Sequence, residues 1–196
     1  VIPIYNVLEY IPNLVDKIIN DDAGALLMLL AEDNRFISRI SISNIQDLCT
    51  ALEVVYDWDR EKRGKDQLIE GLKKDIKKTI AGFLENHSGI DVYNETTISS
   101  AFDYLDFTLK IRIFTLYSEN RDVVDAVVRK WALPPVNKEN ISSFVNLRNN
   151  KTHSGKFEWG ESAYLYTALF ALVYACFFKY VGMPVELVKA LLLQLI

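Results

Sequence analysis

Apolar residues recur every three or four positions along nearly the whole of this 196-residue chain, which carries only eight Gly and five Pro. A side chain that must face a core about every 3.6 residues belongs on an α-helix, whereas a strand needs strict alternation. Alternating segments are short, and Phe36 to Ile42 is the one stretch that fits a strand. The expected fold is therefore all-α: a bundle of about five to eight helices with a strongly apolar C-terminal helix. Half of the residues are hydrophobic, enough for one main core in a chain of 22.5 kDa.

The segment from Asn6 to Ile19 sets Leu8, Ile11, Val15 and Ile18 on one side, and Asp21-Asp22 introduces a second short helix through Leu30. Residues 1–42 read as an N-terminal helical appendage or the end of an upstream region, and residues 43–196 as the main helical domain. Ser43 and Gln46 have the form of a capping box for a helix from Asn44 to about Arg60. A long helix after Lys65 places Leu68, Leu72, Ile76, Ile80 and Phe83 inward and lysines on the other face, with Gly89 at its end. Ile98 to Ser118 reads as one helix, buried through Phe102, Leu105, Leu109 and Ile113, and Val123 to Trp131 as a shorter one stopped by Pro134-Pro135. Asn137 or Asn140 caps the next helix, which turns Ile141, Phe144 and Val145 inward and ends near Gly155.

The stretch from Ser162 to Phe178 is uncharged, and Gly182-Met183-Pro184 separates it from a last apolar helix. It falls short of the roughly 20 residues that span a bilayer, and Tyr164, Tyr166 and Tyr174 interrupt it. A central core or dimer-interface helix is expected, and no membrane contact.

A net charge of −4 gives no global attraction to polyanions, so any nucleic-acid contact must come from a local basic patch. Cys49 and Cys176 lack any CxxC or Cys/His spacing and sit among apolar neighbours, as buried thiols of a reducing, cytoplasmic compartment do. No secretory leader is legible; the chain starts at Val1, and an upstream domain is an expected partner. Asp57-Trp58-Asp59 and the Asp103/Asp106 pair lack a third ligand at a useful spacing, so neither a metal nor another cofactor is expected. A Gly-rich phosphate loop, a Gly-x-Ser-x-Gly elbow and a His-Glu-x-x-His helix are all missing, which removes support for ATPase, serine-hydrolase and zinc-peptidase chemistry.

Arg148-Asn149-Asn150-Lys151-Thr152-His153 stands out: a permanent cation, a carboxamide and a titratable imidazole within two helical turns. Arg148 falls on the face of Ile141, Phe144 and Val145, where a cation needs a partner or a substrate. His153 lies roughly 140° around the helix from Arg148, so the two converge only if the last turn loosens or a second subunit contributes. The structural alternative pairs Arg148 with a carboxylate such as Glu53 or Asp103 and leaves His153 capping the helix C-terminus. His87, in Asn86-His87-Ser88-Gly89, has no arginine at a matching spacing and reads as a helix-end residue. Lys62, Arg63, Lys65, Lys73, Lys74, Lys77 and Lys78 suit either an RNA backbone or a solvated helix face, since Glu61, Asp66, Glu70 and Asp75 intervene.

An Arg followed by a polar residue, three further positions and a His, late in a helical bundle, resembles the HEPN superfamily. The string Phe-Val-Asn-Leu-Arg-Asn-Asn-Lys-Thr-His-Ser-Gly is especially similar to Apea-like HEPN domains. The resemblance implies a homodimer whose motif-bearing faces share a cleft, and a metal-independent RNase in a toxin or antiviral defence system. Some members of the superfamily only bind. Carried over residue by residue, Arg148 matches the motif arginine, Asn149 the polar residue after it and His153 the motif histidine; Lys151, Lys73, Lys74 and Lys77 are candidate RNA contacts. A ribose 2′-hydroxyl would attack the adjacent phosphorus, with His153 as general base, its counterpart in the second subunit as acid, and Arg148 on the phosphate oxygens. Gly155 stands where toxins controlled by partner nucleotidyltransferases commonly carry Tyr, so that mode of control is not expected. The alternatives are a catalytically silent HEPN module that binds RNA or a partner protein, and an unrelated helical interaction or membrane-associated domain.

Overall fold

The computed structural model describes residues 5–20, 24, 26, 40–59, 67–86, 100, 108–154 and 165–195, and the side chains of all of these except 5, 67, 68, 150–154 and 195. In chain order the helices are α1 (Tyr5–Leu8), α2 (Ile11–Asn20), α3 (Ile42–Asp57), α4 (Gln67–Glu85), α5 (Leu109–Glu119), α6 (Arg121–Trp131), α7 (Lys138–Ser154), α8 (Leu165–Tyr180) and α9 (Val185–Leu195). Among the described residues every regular element is α-helical, and the protein is an all-α bundle.

The bundle is organised around α8. Ten of its sixteen residues are buried, spread around the whole circumference, so the helix is apolar on every side and belongs in a core. Helices α3, α5, α6, α7 and α9 all lie against it. Burying one Leu or Phe side chain is worth about 1.5–3 kcal/mol, and Leu165, Leu169 and Leu172 on α8 are each fully buried. Among the described residues no helix is long and apolar enough to cross a membrane.

Two helix exits use the same turn with different residues. After α8, Gly182 N–H donates to Lys179 O at 2.9 Å and Met183 N–H to Phe178 O at 3.0 Å, with Gly182 at φ +98°. This is a Schellman motif, which requires a left-handed residue at Gly182. After α6, Ala132 N–H donates to Arg129 O at 3.5 Å and Leu133 N–H to Val128 O at 3.0 Å, with Ala132 at φ 47°. Pro134-Pro135 then prevents any continuation, as the sequence indicates.

Several boundaries differ from the sequence reading. The capping box of α3 belongs to Ser41 and Asn44, not to Ser43 and Gln46: Ser41 Oγ accepts from Asn44 N–H at 3.2 Å, and Ser41 N–H donates to Asn44 Oδ1 at 2.7 Å. Asn44 reaches back as Glu or Gln would, while Ser43 lies inside the helix and donates to Asp47 at 3.3 Å. The helix read from Ile98 to Ser118 instead starts anew at Leu109, because Thr108 is extended and its hydroxyl accepts from Ile111 N–H at 3.4 Å. Leu109 and Ile113 are buried as expected; Phe102 and Leu105 lie outside the described residues.

The covered face of α4 is also rotated from the expected one. Leu72 and Phe83 are 50% and 55% exposed, while Ile69, Lys73, Ile76, Lys77, Ile80 and Leu84 form the better covered side. Lysine stems are apolar up to the ammonium, so a stripe containing Lys73 and Lys77 can be covered while their heads reach water. Leu68 and Gly89 lie outside what is described.

At the other end of the chain, Leu8, Ile11, Val15 and Ile19 are 42–71% exposed, and Val7, Tyr10 and Leu14 pack on the core instead. Helix α2 is tied to the bundle by Asn13 Nδ2 donating to Val181 O and Lys17 Nζ to Tyr180 OH, each at 3.3 Å. Leu26 is a core residue. The rest of the second short helix read through Leu30, and most of the candidate strand at Phe36 to Ile42, lie outside the described residues; Ile42 itself begins α3.

Candidate functional site

Helix α7 carries the Arg-Asn-x3-His segment. Asn137 starts it by accepting Asn140 N–H on Oδ1 at 2.8 Å, and Asn140 Nδ2 donates to Pro135 O at 2.7 Å, so Asn137 is the cap and Asn140 secures the loop before it. Ile141, Phe144 and Val145 are buried, as their spacing requires. The helix packs on α3, α5 and α8, which fixes which side of it meets the core.

Arg148 follows on that side. It is half-buried, and its Nη1 donates to Asn149 Oδ1 at 3.2 Å, so the cation and the neighbouring amide are joined. Its charge also reaches α3. Burial pushes the Cys49 thiol up to about 12; Arg148 acts in the lowering direction and Glu53, one turn further along α3, in the raising direction. A guanidinium on α7 and a carboxylate on α3 thus act in opposite directions on a buried thiol.

His153 lies in the last turn of α7, which is α-helical through Ser154. Five residues of regular helix separate positions 148 and 153 by about 7.5 Å along the axis and roughly 140° around it. The last turn does not loosen, so one chain does not bring the two positions onto one face. The side chains of Lys151 and His153, along with Lys62, Arg63, Lys65, His87, Asp103, Asp106, Gly155 and Tyr164, lie outside the described residues.

The lysine row is placed elsewhere. On α4, Lys74 is exposed, whereas Lys73 and Lys77 lie on the better covered side, with Lys73 Nζ 3.6 Å from Glu70. Helix α4 makes no extensive packing with α7 among the described residues. Among the same residues no group of three His, Cys, Asp or Glu side chains is arranged to hold a metal, and Asp57 faces Arg112 at 3.6 Å instead.

The sequence reading missed two features. Lys110, Arg121 and Lys138 border adjoining clefts of about 360 and 350 Å³ around Phe114, beside the first turn of α7. Lys138 Nζ sits 5.1 Å over the Phe114 ring. These cations come from α5, α6 and α7, so no single helical period reveals them. The second feature, among the described residues, is two buried polar atoms with no hydrogen-bond partner, Trp58 Nε1 at the C-terminal exit of α3 and Asn120 Oδ1 between α5 and α6. Nothing in the linear sequence distinguishes an unsatisfied buried amide from a satisfied one. No family model, curated protein or solved structure matches this chain.

Proposed function

We propose that this protein is a metal-independent endoribonuclease of the HEPN type, acting as a homodimer whose α7 helices face a common cleft, in a toxin or antiviral defence setting. The observation that carries the reading is the half-buried Arg148, joined to Asn149 on the core-facing side of α7 and followed by a histidine in the same unbroken helix. A guanidinium held by its neighbour is preorganised for the non-bridging oxygens of a phosphodiester, where charge builds as a 2′-hydroxyl attacks. Because positions 148 and 153 lie 140° apart on one regular helix, this reading requires a site completed across a two-fold axis, with His153 of one subunit as base and that of the second as acid. Lys110, Arg121 and Lys138 line a route for the strand about 15 Å along α7 from Arg148.

A second reading, a catalytically silent module that binds RNA or a partner protein, is favoured by one observation: the charge of Arg148 is felt at the buried Cys49 of α3, as that of a structural arginine would be. Cleavage of mixed RNA in excess EDTA separates the two. The RNase reading expects 2′,3′-cyclic phosphate and 5′-hydroxyl termini, and a loss of at least about 100-fold in both His153→Ala and Arg148→Ala. A folded dimer that binds RNA and leaves it intact selects the binding module.

A further inference from the structure

From Ile69 to Glu85, no side chain of α4 is buried, although Ile69, Leu72, Ile76, Ile80, Phe83 and Leu84 lie along it. Helices α3 and α5 to α9, by contrast, each sink residues into the core. Among the described residues no helix packs extensively on α4, and Leu72 and Phe83 are 50% and 55% exposed. A helix in a folded protein draws most of its stability from packing its apolar face, not from propensity. The apolar face of α4 is only partly covered by its own chain.

The spacing of that face says what covers the rest. Ile69, Leu72, Ile76, Ile80 and Phe83 follow one another at intervals of three, four, four and three residues, which read the same from either end with Ile76 at the centre. On a regular helix all five point within about 40° of the direction of Ile76, and no charged residue falls in that arc; Lys73, about 60° away, borders it. A second α4 running the other way, related by a two-fold axis at Ile76, therefore meets this face with an identical one. Ile69 stands opposite Phe83 of the copy, Leu72 opposite Ile80, and Ile76 opposite its own counterpart. The positions of Leu68 and Leu84 obey the same mirror in the sequence. Such self-complementarity is what a two-fold interface between identical chains requires. A lipid surface is the poorer match: α4 carries four lysines against three carboxylates, and a surplus of one positive charge gives little attraction to anionic headgroups.

We propose that α4 is a self-association surface, and that two copies of this chain pair through antiparallel α4 helices about a two-fold axis at Ile76. The pair covers Leu72 and Phe83 of both copies, the most exposed apolar side chains of the helix. Lys73 and Lys77 stay at its edge, with their apolar stems over the seam and their ammonium groups in water. The inference does not rest on the RNase reading, since no residue of the α7 segment enters the pair.

The test measures the mass of the full chain by sedimentation equilibrium at rising concentration. The expected result is a dimer that Leu72→Glu and Phe83→Glu each weaken at least about tenfold, because either change sets a carboxylate in the apolar seam. Both positions are exposed in the single chain, and an unchanged helical spectrum checks that the variants fold. Oxidative cross-linking reads the register, with the parent chain as the blank for Cys49 and Cys176. Ile76→Cys should link to its own copy, whereas Leu72→Cys should link to Ile80→Cys in a mixture and not to itself. A monomer at every concentration overturns the proposal, and so does a dimer that both Glu variants leave intact, as one held through α7 would be. Self-linking of Leu72→Cys as strong as the mixed link overturns the antiparallel pair. A monomer that binds phosphatidylserine vesicles and loses them in Phe83→Glu gives the face to lipid instead.

Discussion

The middle of α3 and its C-terminal exit handle buried polarity in opposite ways. Near Cys49, in the middle, a half-buried guanidinium on α7 is joined to the Asn149 amide and acts on the buried thiol, one turn after the buried Ile141, Phe144 and Val145. At the Trp58 end, an indole N–H and an amide oxygen are enclosed with no partner, although the residues around them are hydrogen-bonded and stacked. Enclosing a polar atom without a partner costs about 1–3 kcal/mol, so the second region lowers stability where the first is largely compensated. One helix thus carries a region built for rigidity and a region with unmet hydrogen-bonding capacity.

Substitutions in each region probe this contrast. Phe144→Ala should have the largest effect, about 3–5 kcal/mol of lost stability in urea unfolding, because Phe144 is fully buried beneath the Arg148 turn. A loss below 1 kcal/mol would mean that the floor of α7 is loosely packed. Asn120→Asp should cost about 2–4 kcal/mol at pH 7 and less in acid. The new carboxylate oxygen replaces the donor to Leu116 O, and burial of the side chain disfavours its charged form. A pH-independent cost would show that water already reaches the site.

Cys49 gives a pH signature for the middle of α3. Burial holds its thiol protonated up to about 12 in the fold, against 9.0 for an unperturbed thiol, so the folded chain binds the proton more tightly than the unfolded one. Its contribution to stability is therefore complete below pH 9 and declines as pH rises towards 12, by at most about 1.4 kcal/mol per unit. Denaturation between pH 8 and 9.5, below the range where the raised Tyr117 and Tyr174 begin to contribute, should show the onset of this slope, and Cys49→Ala should remove it. The smallest effect is expected from Trp58→Phe, within about 1 kcal/mol of the parent and with the variant favoured, because it deletes an unmet donor and keeps the stack on Tyr180. A clear loss of stability would mean that the indole N–H is hydrogen-bonded after all.

How far the sequence foretells these regions follows from what kind of physics governs each. The inward face of α7, the central place of α8 and the stop at Pro134-Pro135 depend on periodicity and on a missing N–H, which are local properties of the chain. Boundaries depend on which of several Ser, Thr or Asn residues wins the cap; Ser41 displaced Ser43 because Asn44 could close the box from the third position. The face of α4 was misread because a Lys stem covers surface as an apolar residue does. Of the candidate site, the position of Arg148 on the core-facing side was legible from helical phase. Its proximity to Cys49, the cations around Phe114 and the Trp58–Asn120 pair all join residues distant in the chain, and no local rule encodes such meetings.

The central position of α8 also has a consequence for how the chain comes into being. Helices α3, α5, α6 and α7 all precede it in the sequence, yet each rests on it. While the chain is being synthesised, at about 5–20 residues per second, those four helices leave the ribosome with their apolar sides unsupported until residue 180 follows them. Helix–helix contacts such as α3 with α5 can form early, but the layer that joins them cannot. Those helices therefore stay without their central partner until α8 has been made, and cooperative folding of the bundle has to wait for it.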